Sequence, residues 1–328
     1  MGFCIIAVVA QKSSRIFQIE STMSKLAYLF PGQGSQYVGM GKDLCEANPA
    51  ARALFKTADE ILGFSLSKIC FEGPETELKQ TKNTQPAIFL HSIILVKVLE
   101  AREAVMAAGH SLGEYSALVY AGAMSFEDGL KIVRLRGELM QRCGEEQPGT
   151  MAAILGMDKP ALENICREAS AAGIVQCANF NSPGQIVISG SVTGVRKAME
   201  IAKSSGAKLV KELVVSGAFH SPLMQSAKED LQKALQKVTI NNTDIPVYAN
   251  VTAKPVTKAD EIRQLLVDQL TCPVRWEESI RQMIADGAKK FTEIGPGKIL
   301  QGLVKRIDAG AEANGIDKID DFEKTITR

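Results

Sequence analysis

Short apolar runs alternate with longer stretches of helical periodicity along most of this chain, which is the pattern of an α/β protein. The runs at 26–30 and 104–108 are short and apolar, as buried strands are. Helical patterns cover about 40–62 and 84–102, and the second is apolar on nearly every side, which predicts a buried helix. The pattern therefore predicts strands of a buried sheet that alternate with covering helices.

Farther along the chain the elements become shorter and their order changes. Strand-like and helical segments follow one another as β-α-β-β-α-β, which is the order of a ferredoxin-like unit. We expect this unit at 145–215, as an insert in a larger α/β domain. The larger domain then comprises 23–144 and 216–306, with its later strands near 246–249 and 290–293.

The two terminal segments carry neither pattern. Residues 1–22 contain an apolar run at 3–10, which is too short to span a bilayer and lacks the basic flank and the cleavage site of a signal peptide. Met23 stands just before the first strand, so we interpret residues 1–22 as an extension outside the fold. Residues 307–328 are predicted to form a polar tail.

Composition and charge exclude some classes of function. The 328 residues suffice for one large domain with an insert, and 38 Lys and Arg against 37 Asp and Glu argue against nucleic-acid binding. The seven cysteines are scattered without a Cys-x-x-Cys pair, which favours a reducing compartment and argues against a structural zinc site. We therefore expect a cytoplasmic monomer with no metal, no nucleic-acid partner and no membrane partner.

The most informative segment is 109–113, with the sequence GHSLG between a strand-like run and a helical run. Strand, Gly-x-Ser-x-Gly and helix together are typical of a nucleophile elbow, in which a tight turn exposes the serine beside a helix N-terminus. The pentapeptide also occurs by chance, so a structural serine is the alternative interpretation. The flanking elements favour Ser111 as a nucleophile.

A serine hydroxyl needs a base within hydrogen-bond reach, and the chain has three histidines. His91 lies in the apolar helix and is interpreted as a core residue. His110 adjoins Ser111, and adjacent side chains on such a turn diverge. His220 lies in a loop between a strand and a helix, where bases commonly sit, so it is the candidate base. No Asp or Glu is near enough in sequence to be nominated as the residue that orients it.

An arginine in an apolar stripe is the second candidate. Ser125 and Asp128 predict a capping box that opens a long helix, and Arg136 falls between Ile132 and Leu139 on its apolar face. A buried arginine must find an anionic partner, because an unpaired buried charge is costly. Two interpretations stay open at this point: a structural ion pair in the core, or a bidentate clamp for a substrate carboxylate.

Four segments, taken together and in order, resemble malonyl-CoA:acyl carrier protein transacylases, and the resemblance covers about residues 25–306. It implies an α/β-hydrolase-like domain with a central parallel sheet and an inserted ferredoxin-like subdomain, in agreement with the predicted element order. The four segments are FPGQGSQ at 30–36, GHSLGEYSAL at 109–118, GAFHSPLM at 217–224 and EIGPG at 293–297.

The resemblance implies roles for the residues that would carry out the chemistry. Ser111 would be the acyl-accepting nucleophile and His220 its base. The main-chain carbonyl of Gln269 would hold that base, which would explain why no carboxylate could be nominated. The backbone N–H groups of Gln33 and Leu112 would form the oxyanion hole.

The resemblance also implies a substrate. Arg136 would bind the free carboxylate of a malonyl group, and Phe219 resembles the residue of malonyl-selective members. The implied reaction transfers malonyl from malonyl-CoA to the pantetheine thiol of acyl carrier protein through a malonyl-serine intermediate, for fatty acid or polyketide synthesis. No cofactor is implied beyond malonyl-CoA as substrate and the 4′-phosphopantetheine of the acceptor.

Three alternatives remain after the resemblance. A serine esterase or thioesterase would use Ser111 and His220 with water as acceptor, and it would have little need of an inward arginine at position 136. A transferase for acetyl or other neutral units would have little need of Arg136 on an inward face. A carrier-binding scaffold protein would keep the fold without the chemistry.

Overall fold

The computed structural model describes residues 25–100 and 103–326, and the predicted extension 1–22 lies outside the described residues. Its strands are β1 (Lys25–Phe30), β2 (Met106–Gly109), β3 (Gly149–Leu155), β4 (Val175–Ser182), β5 (Gln185–Ser191), β6 (Leu209–Glu212), β7 (Val247–Tyr248), β8 (Pro255–Val256), β9 (Ala288–Ile294) and β10 (Glu312–Ile316). Its α-helices are α1 (Lys42–Ala47), α2 (Pro49–Leu62), α3 (Leu66–Glu72), α4 (Glu75–Leu78), α5 (Thr81–Leu99), α6 (Gly113–Tyr120), α7 (Phe126–Glu146), α8 (Lys159–Ala169), α9 (Val192–Ser204), α10 (Gln225–Leu235), α11 (Ala259–Asp268), α12 (Trp276–Ala285), α13 (Ile299–Ile307) and α14 (Ile319–Ile326).

A six-stranded sheet in the order β10-β9-β1-β2-β7-β8 forms the centre of the large domain. All of its pairs are parallel except the last, because β8 returns antiparallel to β7, so the sheet is mixed rather than entirely parallel as expected. Phe30 at the end of β1 is paired with Gly109 at the end of β2. The loops that follow these two strands therefore lie side by side at one edge of the sheet.

A four-stranded antiparallel sheet in the order β4-β5-β3-β6 forms the smaller unit. Apolar side chains of α8 and α9, among them Leu162 and Val195, pack with this sheet in a core of their own. The predicted α/β class with a ferredoxin-like insert is thus confirmed. The small sheet is joined to the large domain where the Phe180 N–H donates to the carbonyl of Val274, at 2.9 Å. The division of the chain at 145 and 215 stays a prediction.

Local signals explain where several helices begin. The helical pattern at 40–62 is interrupted at Asn48, whose side chain caps α2 by accepting from the N–H groups of Ala50 and Ala51. The Ser125 hydroxyl accepts from the Asp128 N–H at 3.0 Å, as the predicted cap requires. None of the helices in the described ranges combines the length and the apolar character that a membrane-spanning segment needs.

The C-terminal segment differs from the polar tail that was predicted for 307–328. It contributes β10 to the edge of the central sheet and then α14, with Ile316 buried. The strand was missed because the other positions of 312–316 are exposed or only partly buried, so an edge strand of this kind carries little hydrophobic pattern.

Asp317, which follows β10, ties this segment to the core. Its carboxylate accepts from the Tyr37 hydroxyl at 3.0 Å and from the Gly297 N–H at 3.1 Å. Nε2 of the buried His91 lies 3.1 Å from the same carboxylate and 2.9 Å from the Asp317 carbonyl oxygen. His91 is thus a core residue, as predicted, and its partner belongs to the segment interpreted as a tail.

We expect Asp317→Ala to lower the free energy of unfolding by roughly 1–3 kcal/mol, because the partly buried donors of Tyr37 and Gly297 lose their acceptor and the buried His91 keeps only the main-chain oxygen. Asp320→Ala is the matched control, since Asp320 is exposed on the same segment, and it should change stability by less than about 0.5 kcal/mol. Urea unfolding of both variants measures the difference. Equal stability of the two variants would contradict the structural role of Asp317.

Candidate active site

Ser111 lies on the tight turn between β2 and α6, as the elbow pattern predicts. Its φ of 51° is in the left-handed region, which is strained for a residue with a side chain. The flanking glycines have no room for a side chain: a Cβ on Gly109 would lie 1.9 Å from the Gly113 carbonyl carbon, and one on Gly113 would lie 2.0 Å from the Phe30 oxygen. Close packing of the turn against β1 therefore keeps the serine at the carboxyl-terminal end of the parallel strands.

The structure brings His220 to the serine across the fold. The Ser111 Oγ lies 2.8 Å from Nε2 of His220, and Nδ1 of His220 lies 2.8 Å from the main-chain oxygen of Gln269. A carbonyl only accepts, so Nδ1 carries the proton and Nε2 is left as the acceptor that faces the serine. Within the described ranges no carboxylate oxygen is hydrogen-bonded to the imidazole.

The environment of His220 keeps its imidazole neutral. Burial, and then the positive charge of Arg136, lower the pKa of His220 to about 3. At neutral pH the ring is therefore unprotonated and able to take a proton from the serine. The backbone around it is held by Gln176, whose side-chain amide donates to the His220 carbonyl at 2.8 Å.

Arg136 is fully buried on the inner face of α7, and its guanidinium reaches the Ser111 hydroxyl. Its Nη1 donates to Gln85 Oε1 at 2.7 Å, and its Nη2 donates to Gln269 Oε1 at 2.8 Å and to Ser111 Oγ at 3.1 Å. None of the Asp or Glu side chains in the described ranges forms an ion pair with it, so the core ion pair that the sequence left open is not found. Its hydrogen-bond acceptors are neutral, and the buried Glu114 attracts it without touching it, so the guanidinium is suited to bind an anion in the cleft.

These side chains line a cleft of about 230 Å³ between the large domain and the small sheet. Gln33 and Leu112 line the cleft beside Ser111, and their backbone N–H groups donate to no acceptor in the described part of the chain. Phe219, which is nearly buried, also lines it. Further apolar lining comes from both domains: Met140, Met151, Val187, Leu213, Val215, Leu300 and Leu303.

His110 diverges from the serine, as expected. Its Nε2 lies 2.8 Å from Asn181 Oδ1 at the end of β4, so it connects the elbow with the small sheet. The described ranges contain no group of three or more His, Cys, Asp or Glu side chains that could hold a metal ion. The chemistry available in this cleft is that of a hydroxyl, an imidazole, a guanidinium and free backbone donors.

The sequence did not predict two residues that hold the site through hydrogen bonds, Asn250 and Glu114. Asn250 accepts the Ser111 N–H at 2.7 Å, and Glu114 accepts from the Asn250 N–H at 2.9 Å and from the Gln269 side chain at 2.8 Å. Burial raises the pKa of Glu114 to about 7, against the lowering effect of these hydrogen bonds. One signal was available: Glu114 is the single charged residue of the otherwise uncharged segment 113–120.

Comparison with known proteins gives a consistent set of relatives. A family model described as acyl transferase domain matches residues 27–317. The malonyl CoA-acyl carrier protein transacylase of Bacillus subtilis strain 168 is 48% identical over 307 residues, which are 93% of this chain and 97% of the relative. That of Escherichia coli K12 is 43% identical over 288 residues, which are 87% of this chain and 93% of the relative.

Solved structures agree with these relatives. The acyl-carrier-protein S-malonyltransferase of Bartonella henselae has a TM-score of 0.89 and 41% identity, covering 92% of this chain and 98% of that chain. A second neighbour is described as a type II PKS acyl-carrier protein in complex with its malonyl-transacylase (PlMCAT:AntF). It has a TM-score of 0.90 and 39% identity, covering 93% of this chain and 99% of that chain.

We expect covalent modification of Ser111 by a fluorophosphonate to proceed at a constant rate from about pH 8 down to about pH 4. The pKa of His220 is lowered to about 3, so the neutral imidazole is lost only as the pH falls toward that value. The rate is measured by intact mass at each pH, with Ser111→Ala as the unlabelled control. A decline centred near pH 6.5, the ordinary value of histidine, would contradict this geometry.

Proposed function

This chain belongs to the acyl transferase domain family, and we propose that it transfers malonyl groups from malonyl-CoA to the pantetheine thiol of acyl carrier protein. The product would supply fatty acid or polyketide synthesis. The observation that carries the proposal is the buried guanidinium of Arg136, which lacks an acidic ion-pair partner among the described residues and lies 3.1 Å from the oxygen of Ser111. A cation at this distance suits an acyl group with a second, negatively charged end.

In the first half-reaction the malonyl carboxylate binds Arg136 while its thioester carbonyl lies against Ser111. His220 Nε2 takes the serine proton as the hydroxyl oxygen attacks that carbonyl. The N–H groups of Gln33 and Leu112 hold the resulting oxyanion, and each such donor lowers the barrier by about 3 kcal/mol in comparable enzymes. The C–S bond then breaks, and His220 returns the proton to the departing coenzyme A thiolate.

In the second half-reaction the pantetheine thiol of the carrier attacks the malonyl-serine ester. His220 takes the thiol proton, the same two N–H groups hold the second oxyanion, and the proton passes to Ser111 as its C–O bond breaks. Both half-reactions use one site, so the first product leaves before the second substrate enters, which is ping-pong kinetics.

The remaining assignments follow from this chemistry. A hydroxyl, an imidazole and backbone donors perform each step, so the reaction needs no metal or organic cofactor beyond its substrates. Phe219 at the cleft wall selects malonyl over branched acyl units by limiting the space beside the acyl group. We place the protein in the cytoplasm as a monomer: the cysteines in the described ranges are free, and a single chain carries every group that the reaction uses.

Transfer is tested by incubating the protein with radiolabelled malonyl-CoA and then with holo acyl carrier protein. We expect label first on the protein, in a 1:1 adduct that Ser111→Ala does not form, and then on the carrier. Intact mass identifies both species. Release of the label mainly as free malonate would reject transfer and support the esterase alternative.

Substrate choice is tested by Arg136→Met, which keeps most of the side-chain volume and removes the charge. We expect kcat/KM for malonyl-CoA to fall about 10²–10³-fold, while transfer from acetyl-CoA changes much less. Arg142→Met on the same helix is the control, because Arg142 is exposed, pairs with Asp230 and does not line the cleft, so it should leave both substrates unaffected. Equal losses for malonyl and acetyl in Arg136→Met would favour an enzyme for neutral acyl units.

A further inference from the structure

A buried carboxylate that the proposed reaction does not use lies directly beneath the site. Glu114 is 2% exposed on the first turn of α6, three residues beyond Ser111. One of its oxygens, Oε2, accepts from the Asn250 N–H at 2.9 Å and from Nε2 of Gln269 at 2.8 Å. The carboxylate is hydrogen-bonded to none of the reacting groups. It acts on the site through its hydrogen-bond partners and through its negative charge, which attracts the Arg136 guanidinium.

Gln269 is the partner that reaches the site from two sides. Its main-chain oxygen is 2.8 Å from Nδ1 of His220, and its side-chain Oε1 accepts from Nη2 of Arg136 at 2.8 Å. Its side-chain Nε2 donates to Glu114 and also to the main-chain oxygen of Ser111, at 3.0 Å. One residue therefore holds the imidazole through its backbone and the guanidinium through its side chain.

The direction of the Gln269 amide is determined by what surrounds it. With Nε2 toward Glu114 and Oε1 toward Arg136, each donor meets an acceptor. Reversal of the amide would set its oxygen against the Glu114 carboxylate and its NH₂ against the guanidinium. In its ionised form Glu114 makes this reversal costly, because a buried oxygen placed beside a buried carboxylate is repelled. The Asn250 N–H in turn keeps the carboxylate in place.

We propose that Glu114 is a positioning residue for substrate selection: it locks the Gln269 side-chain amide so that Oε1 aims the Arg136 guanidinium at the malonyl carboxylate. This inference rests on the proposed function and adds a residue to it. The main-chain contact to His220 does not depend on the amide direction. Loss of Glu114 therefore weakens recognition of the charged acyl group more than it weakens proton transfer at the serine.

The test compares Glu114→Met, which fills the space without an acceptor, with Glu114→Gln, which keeps one oxygen for both donors. In Glu114→Met we expect kcat/KM for malonyl-CoA to fall about 10–100-fold, mainly through KM, while acetyl-CoA changes less than about threefold. Glu114→Gln should restore the malonyl-to-acetyl ratio to within about threefold of the wild type. Rates are normalised to the fraction of Ser111 that a fluorophosphonate labels.

Gln269→Leu tests the same inference at the residue that contacts both Glu114 and Arg136. It removes the amide and keeps the main-chain oxygen, so it should produce the same selective loss, and the double variant with Glu114→Met should lose no more than Gln269→Leu alone. Where Glu114→Met does not fold, Gln269→Leu alone still tests the inference, because equal losses for malonyl and acetyl in it would mean that the amide does not aim the guanidinium. Additive losses, or equal losses for malonyl and acetyl, would show a structural role only and overturn the inference.

The wild-type measurement separates the two proposals. If the wild-type protein does not load the carrier with malonyl, the proposed function fails, and the role of Glu114 in it fails too. If the wild type transfers malonyl and Glu114→Met keeps the wild-type malonyl-to-acetyl ratio, only the role of Glu114 is overturned.

Discussion

A positive charge that is enclosed by protein and has no acidic partner at contact distance is the constraint around which this site is organised. Neutral oxygens of Gln85, Gln269 and Ser111 accept from Nη1 and Nη2 of Arg136 but do not cancel its charge. Together with burial, that charge keeps His220 neutral, which is the form a base needs. The same charge is compensated when an anion enters the cleft, so selectivity for the acyl group and readiness of the base have a common electrostatic origin.

The parallel sheet is what brings the required groups to this charge. Strands β1, β2 and β7 end at one edge, and the loops that follow them carry Gln33, Ser111 and Asn250. The ends of parallel strands leave backbone groups unpaired beside helix N-termini, which is why donors for an oxyanion are available there. The small sheet closes the other side of the cleft, with Asn181 bound to His110. Residues that are far apart in the sequence thus lie within a few ångströms of one another.

Much of this arrangement was predictable, and what was missed has a physical reason. Ser111 was found because an elbow needs glycines at fixed positions, and Arg136 because a charge in an apolar stripe is unusual. The ion-pair question for Arg136 could not be settled from sequence, because it depends on which side chains surround the guanidinium in three dimensions. Asn250 carries no local signal, and β10 has few covered positions, so neither a short motif nor hydrophobic periodicity could reveal them.

The hydrogen bond that orients His220 comes from the peptide backbone rather than from a side chain. Where an acidic side chain has this task, one nucleotide change can abolish it. Here every amino acid that could occupy position 269 still supplies a carbonyl, so only a shift of the polypeptide path after α11 removes the contact. Substitution at position 269 therefore removes the side-chain acceptor of Arg136 while the acceptor of the imidazole stays in place.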